Sequence, residues 1–318
     1  MNKRLCMFAG LTFAALQPPL QAADFPRKPI RIVTADAGGG SDMVSRLIAQ
    51  GWTASWGQQV VVDNRGGGTI AGEIVARAAP DGYTLLYYGA TLWLLPLMRK
   101  EMPYDTLRDF APVTMAAATP AVLVAHPSLA AKSVRELIAL AKASPGKLNY
   151  ASAAAGTATH LAAELFKAMA GVDIVRVPYK GTGAALNDLL GGQTQMMFAV
   201  AASVVGHARA GRLRALAVTG AKPSPALPDL PTIAASGLPG FESVQYSGLF
   251  APAKTPAAII EVLRNETVTA LNRSEARERL ANLGVEAVAS TPAEFAAQMR
   301  HEIKVIGKVI RDSGIRAD

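Results

Sequence analysis

Cysteine is nearly absent from this chain. Cys6 is the one cysteine among 318 residues, and it lies inside an apolar segment at the amino terminus. Once that segment is removed, the chain has no thiol for a disulfide, for nucleophilic catalysis or for metal binding. Histidine is also scarce, and none of the four histidines forms a metal-ligand spacing such as two histidines four residues apart on a helix. The sequence therefore predicts neither a thiol enzyme nor a metal site.

Runs of like charge and long apolar stretches are missing as well. No run of lysine or arginine exceeds two residues, and the net charge of +8 is spread along the chain. No basic patch is interleaved with aromatic residues, which argues against a nucleic-acid partner. After the amino-terminal segment, no stretch reaches 18 apolar residues free of charges and turn breakers, so no membrane-spanning helix is expected.

The amino-terminal segment has the three parts of a secretory signal peptide. Lys3 and Arg4 supply positive charge, and residues 5–16 form a short apolar run. Small residues then offer cleavage after Ala22 or Ala23. The alternative, a structural first helix, is disfavoured because an uncapped apolar run that ends in two prolines makes a poor amphipathic helix. We therefore expect export to the periplasm.

Short β-forming runs alternate with helical segments along the rest of the chain. This alternation predicts parallel sheets of the α/β class, and the length favours two such domains. We expect the chain to cross between the domains near residues 113–125 and again near residues 244–252.

Local signals also predict where some elements begin and end. Thr119 and Pro120 are expected to separate two short apolar runs, at residues 113–117 and 121–125. Ser133, with a glutamate three residues later, and Thr291, followed by a proline and with a glutamate three residues later, are each expected to cap the start of a helix.

Four strand-to-helix turns carry small or hydroxyl-bearing residues. They are Gly38–Ser41, Gly89–Thr91, Ser152–Thr157 and Gly181–Thr182. Ligands of open α/β sheets bind beyond the carboxyl ends of strands, and the first N–H groups of a helix attract anions. One such turn alone can be a plain connection. Four of them predict a cleft that binds by backbone N–H and hydroxyl groups, with little equipment for catalysis.

Two residues near these turns could take part in catalysis. Asp36 lies beside the first glycine turn, and His160 lies in the first turn of a predicted helix. No nucleophile elbow, P-loop ending or convincing dinucleotide-binding glycine motif accompanies them. Both are better explained as polar loop or helix residues. We predict a protein that is not an enzyme and needs no cofactor, with a periplasmic enzyme using Asp36 or His160 as the less favoured alternative.

A series of short motifs runs through the whole mature chain. The motifs are Phe25–Val33, Gly38–Asp42, Val60–Arg65, Ala78–Leu86, Asp109–Val113, Pro145–Tyr150, Val177–Gly181, Leu213–Thr219, Leu227–Thr232 and Gly248–Pro252. Each is weak alone, but their number and order are specific. Together they resemble the Bug family of periplasmic solute-binding proteins, the extracytoplasmic receptors of tripartite tricarboxylate transporters.

The resemblance implies a fold and a set of ligand contacts. The fold is a two-domain periplasmic-binding-protein (type II) fold with mixed, mainly parallel sheets and a cleft that closes on ligand like a flytrap. After a signal peptide at residues 1–22, domain 1 would comprise residues 23–120 and 247–318, and domain 2 the inserted residues 121–246. Carried over by position, the ligand-binding residues are Asp36, Ala37, Gly38, Gly39, Gly40, Ser41, Asp42, Gly89, Ala90, Thr91, Ser152, Gly156, Thr157, Thr159, Tyr179, Ala199 and Tyr246.

Two of these positions depart from the family pattern. Asp36 adds a negative charge where the family has none, and Ala199 stands where an aspartate is common. A carboxylate about 4 Å from Asp36 would be repelled by a few kcal/mol at the effective dielectric near a protein surface. The resemblance implies a small organic anion such as a dicarboxylate or tricarboxylate, and because of Asp36 it could instead be an amino acid, a hydroxylated acid or an aromatic acid.

The resemblance also implies membrane permease subunits as partners. A sensor protein that reads the closed form of the receptor is the alternative, and the residues do not separate the two. The expected state of the receptor is a monomer.

Overall fold

The structure, a computed structural model, describes residues 25–35, 37, 40–66, 68–153, 156–179, 181–224 and 227–316. The predicted signal peptide at residues 1–22 lies outside these ranges. Three predicted ligand-binding residues, Asp36, Gly38 and Gly39, also lie outside them. Among the helices described, none combines the length and apolar character that a membrane crossing requires.

Strands and helices alternate through most of the chain. The strands are β1 (Ile30–Thr34), β2 (Val60–Asn64), β3 (Thr84–Gly89), β4 (Phe110–Ala125), β5 (Asn149–Ser152), β6 (Val175–Pro178), β7 (Met196–Val200), β8 (Arg214–Val218), β9 (Val244–Pro252) and β10 (Glu286–Ala287). The helices are α1 (Gly40–Trp56), α2 (Ile70–Ala76), α3 (Thr91–Leu94), α4 (Thr106–Asp109), α5 (Val134–Ala143), α6 (Ala158–Ala170), α7 (Thr182–Leu190), α8 (Ala201–Arg209), α9 (Ala257–Asn272), α10 (Ser274–Asn282) and α11 (Pro292–Asp312).

The strands form one continuous path in the order β2-β1-β3-β9-β4-β7-β5-β6, and β8 and β10 pair with β4 beside that path. β1, β2 and β3 pair in parallel, and so do β5, β6 and β7. The antiparallel pairings described all involve β4 or β9. The predicted α/β fold with mixed sheets is confirmed, and the antiparallel share that β4 and β9 contribute is larger than the alternation alone indicates.

β4 is longer than the sequence suggests. Thr119 and Pro120 were expected to separate two short apolar runs, yet β4 continues through both residues. Up to Pro120 the strand pairs with β9, and from Ala121 onward it pairs with β7 and β8. A proline has no N–H to donate, so the point at which a strand changes neighbours accommodates it. β4 and β9 contain the residues of the two predicted crossings, and the crossings and the domain boundaries at residues 120/121 and 246/247 stay predictions.

The carboxy-terminal helix α11 packs against α3, α6 and β4. Thr291 caps its start in a reciprocal capping box with Glu294, and Pro292 occupies the first turn, as the sequence predicts. Phe295 is fully buried and lies 4.8 Å from Phe250 of β9 between ring centroids. Trp93 of α3 completes the aromatic cluster, with its ring centroid 5.9 Å from that of Phe295. This cluster fixes α11 beside the strand ends at which the candidate site lies.

Candidate functional site

Two cavities lie along β9, and both have Gln245 in their walls. The first, of about 380 Å³, is bordered by the start of α1, by β4, by the end of β7 and by β9. We call it the neutral cavity, because its described lining contains no charged residue; its polar members are Ser41, Thr119, Gln245 and Ser247. The second, of about 230 Å³, lies between α3, α6, β9 and α11. We call it the acidic cavity; its titratable members are Glu242, Tyr246, His301 and Glu302.

The neutral cavity receives the amino-terminal end of a long helix. Gly40 and Ser41 are the first residues of α1, which runs for 17 residues. The first N–H groups of a helix have no partner inside it, and the helix dipole places partial positive charge there. On β9, the Ser247 hydroxyl lies 2.9 Å from the Tyr87 hydroxyl. The wall thus offers N–H and hydroxyl groups, the chemistry that holds a carboxylate without a charged side chain.

Asp42, the next residue of α1, carries a buried carboxylate. Its Oδ1 accepts a hydrogen bond from Asn64 Nδ2 at 2.9 Å, and its Oδ2 accepts one from Arg46 Nε at 3.1 Å. These contacts join α1 to the end of β2. Because Arg46 pairs with the Asp42 carboxylate, this predicted contact residue contributes to the architecture of the turn and does not line either cavity.

Four predicted residues line the acidic cavity: Ala90, Thr91, Gly156 and Tyr246. The Tyr246 hydroxyl donates to Glu242 Oε1 at 2.9 Å. Gly89 lies next to this group, paired with Ser247 across the strands. The structure therefore brings together predicted turns from β3 and α6 beside β9.

Glu302 in the acidic cavity was not predicted from the sequence. It is only 7% exposed, and its Oε2 accepts a hydrogen bond from Trp93 Nε1 at 2.7 Å. Gln298 Nε2 contacts Oε1 at 3.5 Å. Burial raises the pKa of Glu302 to about 7. One signal was available in the sequence: Glu302 falls on the buried stripe that contains Phe295, Met299 and Ile306, where an acid is unusual.

Side-chain hydrogen bonds and close packing fix the turn between β5 and α6. The Ser152 hydroxyl donates to the Ala153 carbonyl at 3.0 Å and accepts from Arg176 Nε at 3.2 Å. Gly156 has φ +75°, and a Cβ there would lie 2.8 Å from Met98 Sδ. A side chain at Gly156 would therefore be strained both by its backbone conformation and by this contact.

Several predicted contact residues lie elsewhere. Ala199 is fully buried in an apolar cluster, and the Tyr179 hydroxyl donates to Asp188 at 2.8 Å. Ser152 is buried behind its turn, and Thr157 and Thr159 are half-buried at the start of α6. Ala37 is exposed in the turn before α1. None of these residues is among the described lining of the two cavities.

His160 stabilises the glycine turn before α6. Its side chain is buried, and its Nδ1 accepts a hydrogen bond from the Gly156 N–H at 3.0 Å. Burial, with a smaller effect from Arg176, lowers the pKa of His160 to about 4. A neutral ring that accepts this hydrogen bond fixes the turn, and it does not line either cavity.

The buried His160 should make the protein less stable in mild acid. The pKa of its imidazole is about 4 in the folded chain and about 6.5 in the unfolded chain, so the unfolded state binds more protons between these pH values. We expect His160 to contribute about 3 kcal/mol of stability at pH 7 that is lost as pH falls from 6.5 to 4. Urea unfolding of the wild type and of His160→Gln at several pH values measures this.

The comparison with His160→Gln isolates the histidine. Glu302, with its raised pKa, has the opposite effect, because its contribution is present at low pH and is lost as pH rises through about 7. Glu302 is present in both proteins, so its effect cancels in the difference. Equal pH dependence of the two proteins between pH 6.5 and 4 would show that His160 is not the group responsible.

Comparison with known proteins places these features in context. The model of the tripartite tricarboxylate transporter family receptor matches residues 44–315. Protein BugT of Bordetella pertussis is 37% identical over 309 residues, which cover 95% of this chain and 94% of BugT. The structure of R. palustris Rpa4515 with adipate has a TM-score of 0.76 at 35% identity and covers 92% of this chain and 99% of that chain. MatC (Rpa3494) from Rhodopseudomonas palustris with bound malate has a TM-score of 0.70 at 32% identity, covering 90% and 100% of the two chains.

Proposed function

Because the chain belongs to the tripartite tricarboxylate transporter receptor family, we propose that it captures a small carboxylate in the cavities along β9 for uptake. Membership confirms the predicted family, and since the relatives are solute-binding proteins it also confirms the prediction that the chain is not an enzyme. Receptors of this family are periplasmic. We further propose that the chain reaches that compartment through a signal peptide cleaved near Ala22 or Ala23.

The observation that carries the proposal is the start of α1 in the neutral cavity. Its N–H groups and the hydroxyls of Ser41, Thr119 and Ser247 suit a carboxylate, and no described residue of that lining brings a charge. Two structural relatives hold dicarboxylates, one adipate and the other malate, which supports a carboxylate as the ligand here too.

The proposed ligand contacts are those predicted residues that lie at the cavities, with three additions from β4 and β9. They are Gly40, Ser41, Gly89, Ala90, Thr91, Gly156 and Tyr246, together with Thr119, Gln245 and Ser247. Asp36, Gly38 and Gly39 stay predictions from the sequence. We propose that the permease subunits of a tripartite transporter receive the ligand, and that the predicted domains close on it.

Calorimetric titration of the mature chain tests the proposal. The panel contains adipate, malate, citrate, amino acids and aromatic acids, with sugars as uncharged controls. Saturable binding of at least one carboxylate, without turnover of that compound, is the expected result. A folded protein that binds none of the acids would refute a carboxylate receptor.

A methyl group at Gly40 should weaken binding without weakening the fold. Apart from its chain neighbours and its own helix backbone, no atom of the described residues lies within 4 Å of a Cβ at this position, so Gly40→Ala should change the free energy of unfolding by less than about 1 kcal/mol. Because Gly40 lines the neutral cavity, the methyl would add bulk at its wall beside the first N–H groups of α1. We expect at least a tenfold loss of carboxylate affinity, about 1.4 kcal/mol, by titration.

Gly206→Ala is the matched control. Gly206 lies within α8, has equally open space around its Cβ position and does not line the two cavities. It should gain up to about 1 kcal/mol of stability and keep the wild-type affinity. Unchanged affinity in Gly40→Ala would show that the carboxylate does not bind at the start of α1.

A further inference from the structure

The neutral cavity is lined largely by aliphatic side chains. They are Met43 and Val44 of α1, Val200 at the end of β7, Leu283 and Val285 between α10 and β10, and Ala35, Ala117 and Ala202. None of the described lining residues is aromatic, so a flat ring would find no stacking partner among them. These walls therefore suit a ligand with an aliphatic body.

Several of these side chains are incompletely covered by the rest of the chain. Met43 is 37% exposed, and Val200, Leu283 and Val285 are half-buried. Covering apolar side chains removes their surface from water, which is favourable in proportion to the apolar area that is covered. The cavity volume of about 380 Å³ is within the range of small-molecule sites. An aliphatic chain in this cavity would cover groups that water otherwise contacts.

A second negative charge on the ligand would find no cation in this cavity. No lysine, arginine or histidine is among its described lining residues. The acidic cavity does not extend it, because Ser247 lines the neutral cavity and Tyr246 the acidic one, and successive side chains of a strand point to opposite faces of the sheet. The start of α1 offers its N–H groups to one carboxylate. A second carboxylate would meet neutral and mostly aliphatic groups of the described lining, and a buried charge without a partner is unfavourable.

We propose that the ligand of the neutral cavity is a monocarboxylic acid with an aliphatic body. Its carboxylate binds at the start of α1, and its chain lies against Met43, Leu283 and Val285. This rests on the proposed function and narrows it to acids that carry a single charge. The dicarboxylates that the two structural relatives hold, adipate and malate, should therefore bind less tightly here.

Hexanoate and adipate form a matched pair that tests the proposal. The two acids have chains of the same length and share one carboxylate, and they differ in ending with a methyl group or with a second carboxylate. By calorimetric titration of the mature chain, hexanoate should bind about tenfold more tightly than adipate, or better, because the second carboxylate loses its hydration without gaining a cation.

A chain-length series measures the contribution of the aliphatic walls. From propanoate through butanoate and pentanoate to hexanoate, each added methylene group should raise the affinity roughly two- to fourfold. The heat-capacity change of binding, from titrations at several temperatures, gives a second readout on the wild-type protein. It should become more negative with each methylene group, because burial of apolar surface lowers the heat capacity.

Met43→Gln makes one wall polar and keeps a long, unbranched helix former on α1. It should lower the affinity for hexanoate about threefold or more and that for propanoate less, so that the ratio of the two affinities falls. Met169→Gln is the matched control, because Met169 lies on α6, is 39% exposed and does not line the neutral cavity. It should leave both affinities unchanged. An unchanged ratio in Met43→Gln would contradict the position of the chain against Met43.

The outcomes separate this proposal from the proposed function. Binding of none of these acids, nor of any acid in the larger panel, would refute the carboxylate receptor itself. Adipate or malate binding more tightly than hexanoate, with no gain from added methylene groups, would overturn the monocarboxylate and leave the receptor intact. If Met43→Gln fails to fold, the ligand series and the heat-capacity changes on the wild type still decide the question.

Discussion

Trp93→Ala is expected to lower the free energy of unfolding by about 4 kcal/mol, the largest loss of any single change considered. Trp93 is 1% exposed, and its ring contacts both Phe250 and Phe295. Its removal leaves a cavity where α3, β9 and α11 meet. It also removes the N–H donor of the buried Glu302, which adds the desolvation cost of an unsatisfied carboxyl oxygen. Urea unfolding at pH 7 measures the total.

Trp93→Phe separates the ring from the N–H group. A phenyl ring restores most of the aromatic packing, so its stability should lie between those of the wild type and Trp93→Ala. Without the donor, the pKa of Glu302 should rise further, because the Trp93 hydrogen bond now lowers it. The Glu302 titration, followed by NMR of a carboxyl-labelled sample, should therefore move to higher pH.

Trp56→Ala is the control for removing an indole elsewhere. Trp56 is half-buried and contacts Phe25 and Trp52 at the end of α1. Its loss should be less than half of that at Trp93, and the Glu302 titration should not move. If both substitutions lowered the free energy of unfolding equally, the contacts of Trp93 between α3 and α11 would contribute no more stability than those of the half-buried Trp56.

Local signals in the sequence were enough for much of the fold. Alternating β-forming and helical segments, the capping residues Thr291 and Ser133, and glycine turns each depend on neighbouring residues, and the structure has the corresponding elements. The prediction that Thr119 and Pro120 separate two runs was wrong. A proline breaks a strand only where its missing N–H is needed for a hydrogen bond. Its tolerance depends on pairing with β7, β8 and β9, which local sequence does not reveal.

Sequence reasoning indicated the turns at the candidate site but not its buried glutamate, for a similar reason. The turns Gly89–Thr91 and Gly156 carry their own signature and lie at the acidic cavity. The hydrogen bond between Trp93 and Glu302 joins residues 209 positions apart, so no local pattern marks it. Local sequence patterns thus reveal the turns whose backbone lines the cavity, whereas the position of its buried carboxyl group depends on long-range contacts.

Gly248→Ala is expected to cost about 3 kcal/mol of stability, near the upper end for an inserted methyl group. A Cβ at Gly248 of β9 would lie 2.4 Å from the Thr114 carbonyl oxygen and 2.5 Å from Phe295 Cε1. The carbonyl belongs to the backbone of β4, which pairs with β9 through irregular register at this point, so it cannot swing aside as a side chain can. Thermal and urea unfolding give the loss.

Gly89→Ala tests whether this cost comes from the contact or from any methyl group on these strands. Gly89 pairs with Ser247, the neighbour of Gly248, but its Cβ would meet no atom of the described residues closer than 3.4 Å. We expect a change within about 1 kcal/mol for Gly89→Ala. Because β9 also carries Gln245 and Ser247, any Gly248→Ala protein that folds should bind carboxylates more weakly as these residues shift with the strand. If Gly248→Ala were as stable as the wild type, β9 would have to be free to move away from β4. The aromatic cluster of Trp93, Phe250 and Phe295 would then not hold β9 in place, and the cavity walls that β9 forms would not be rigid.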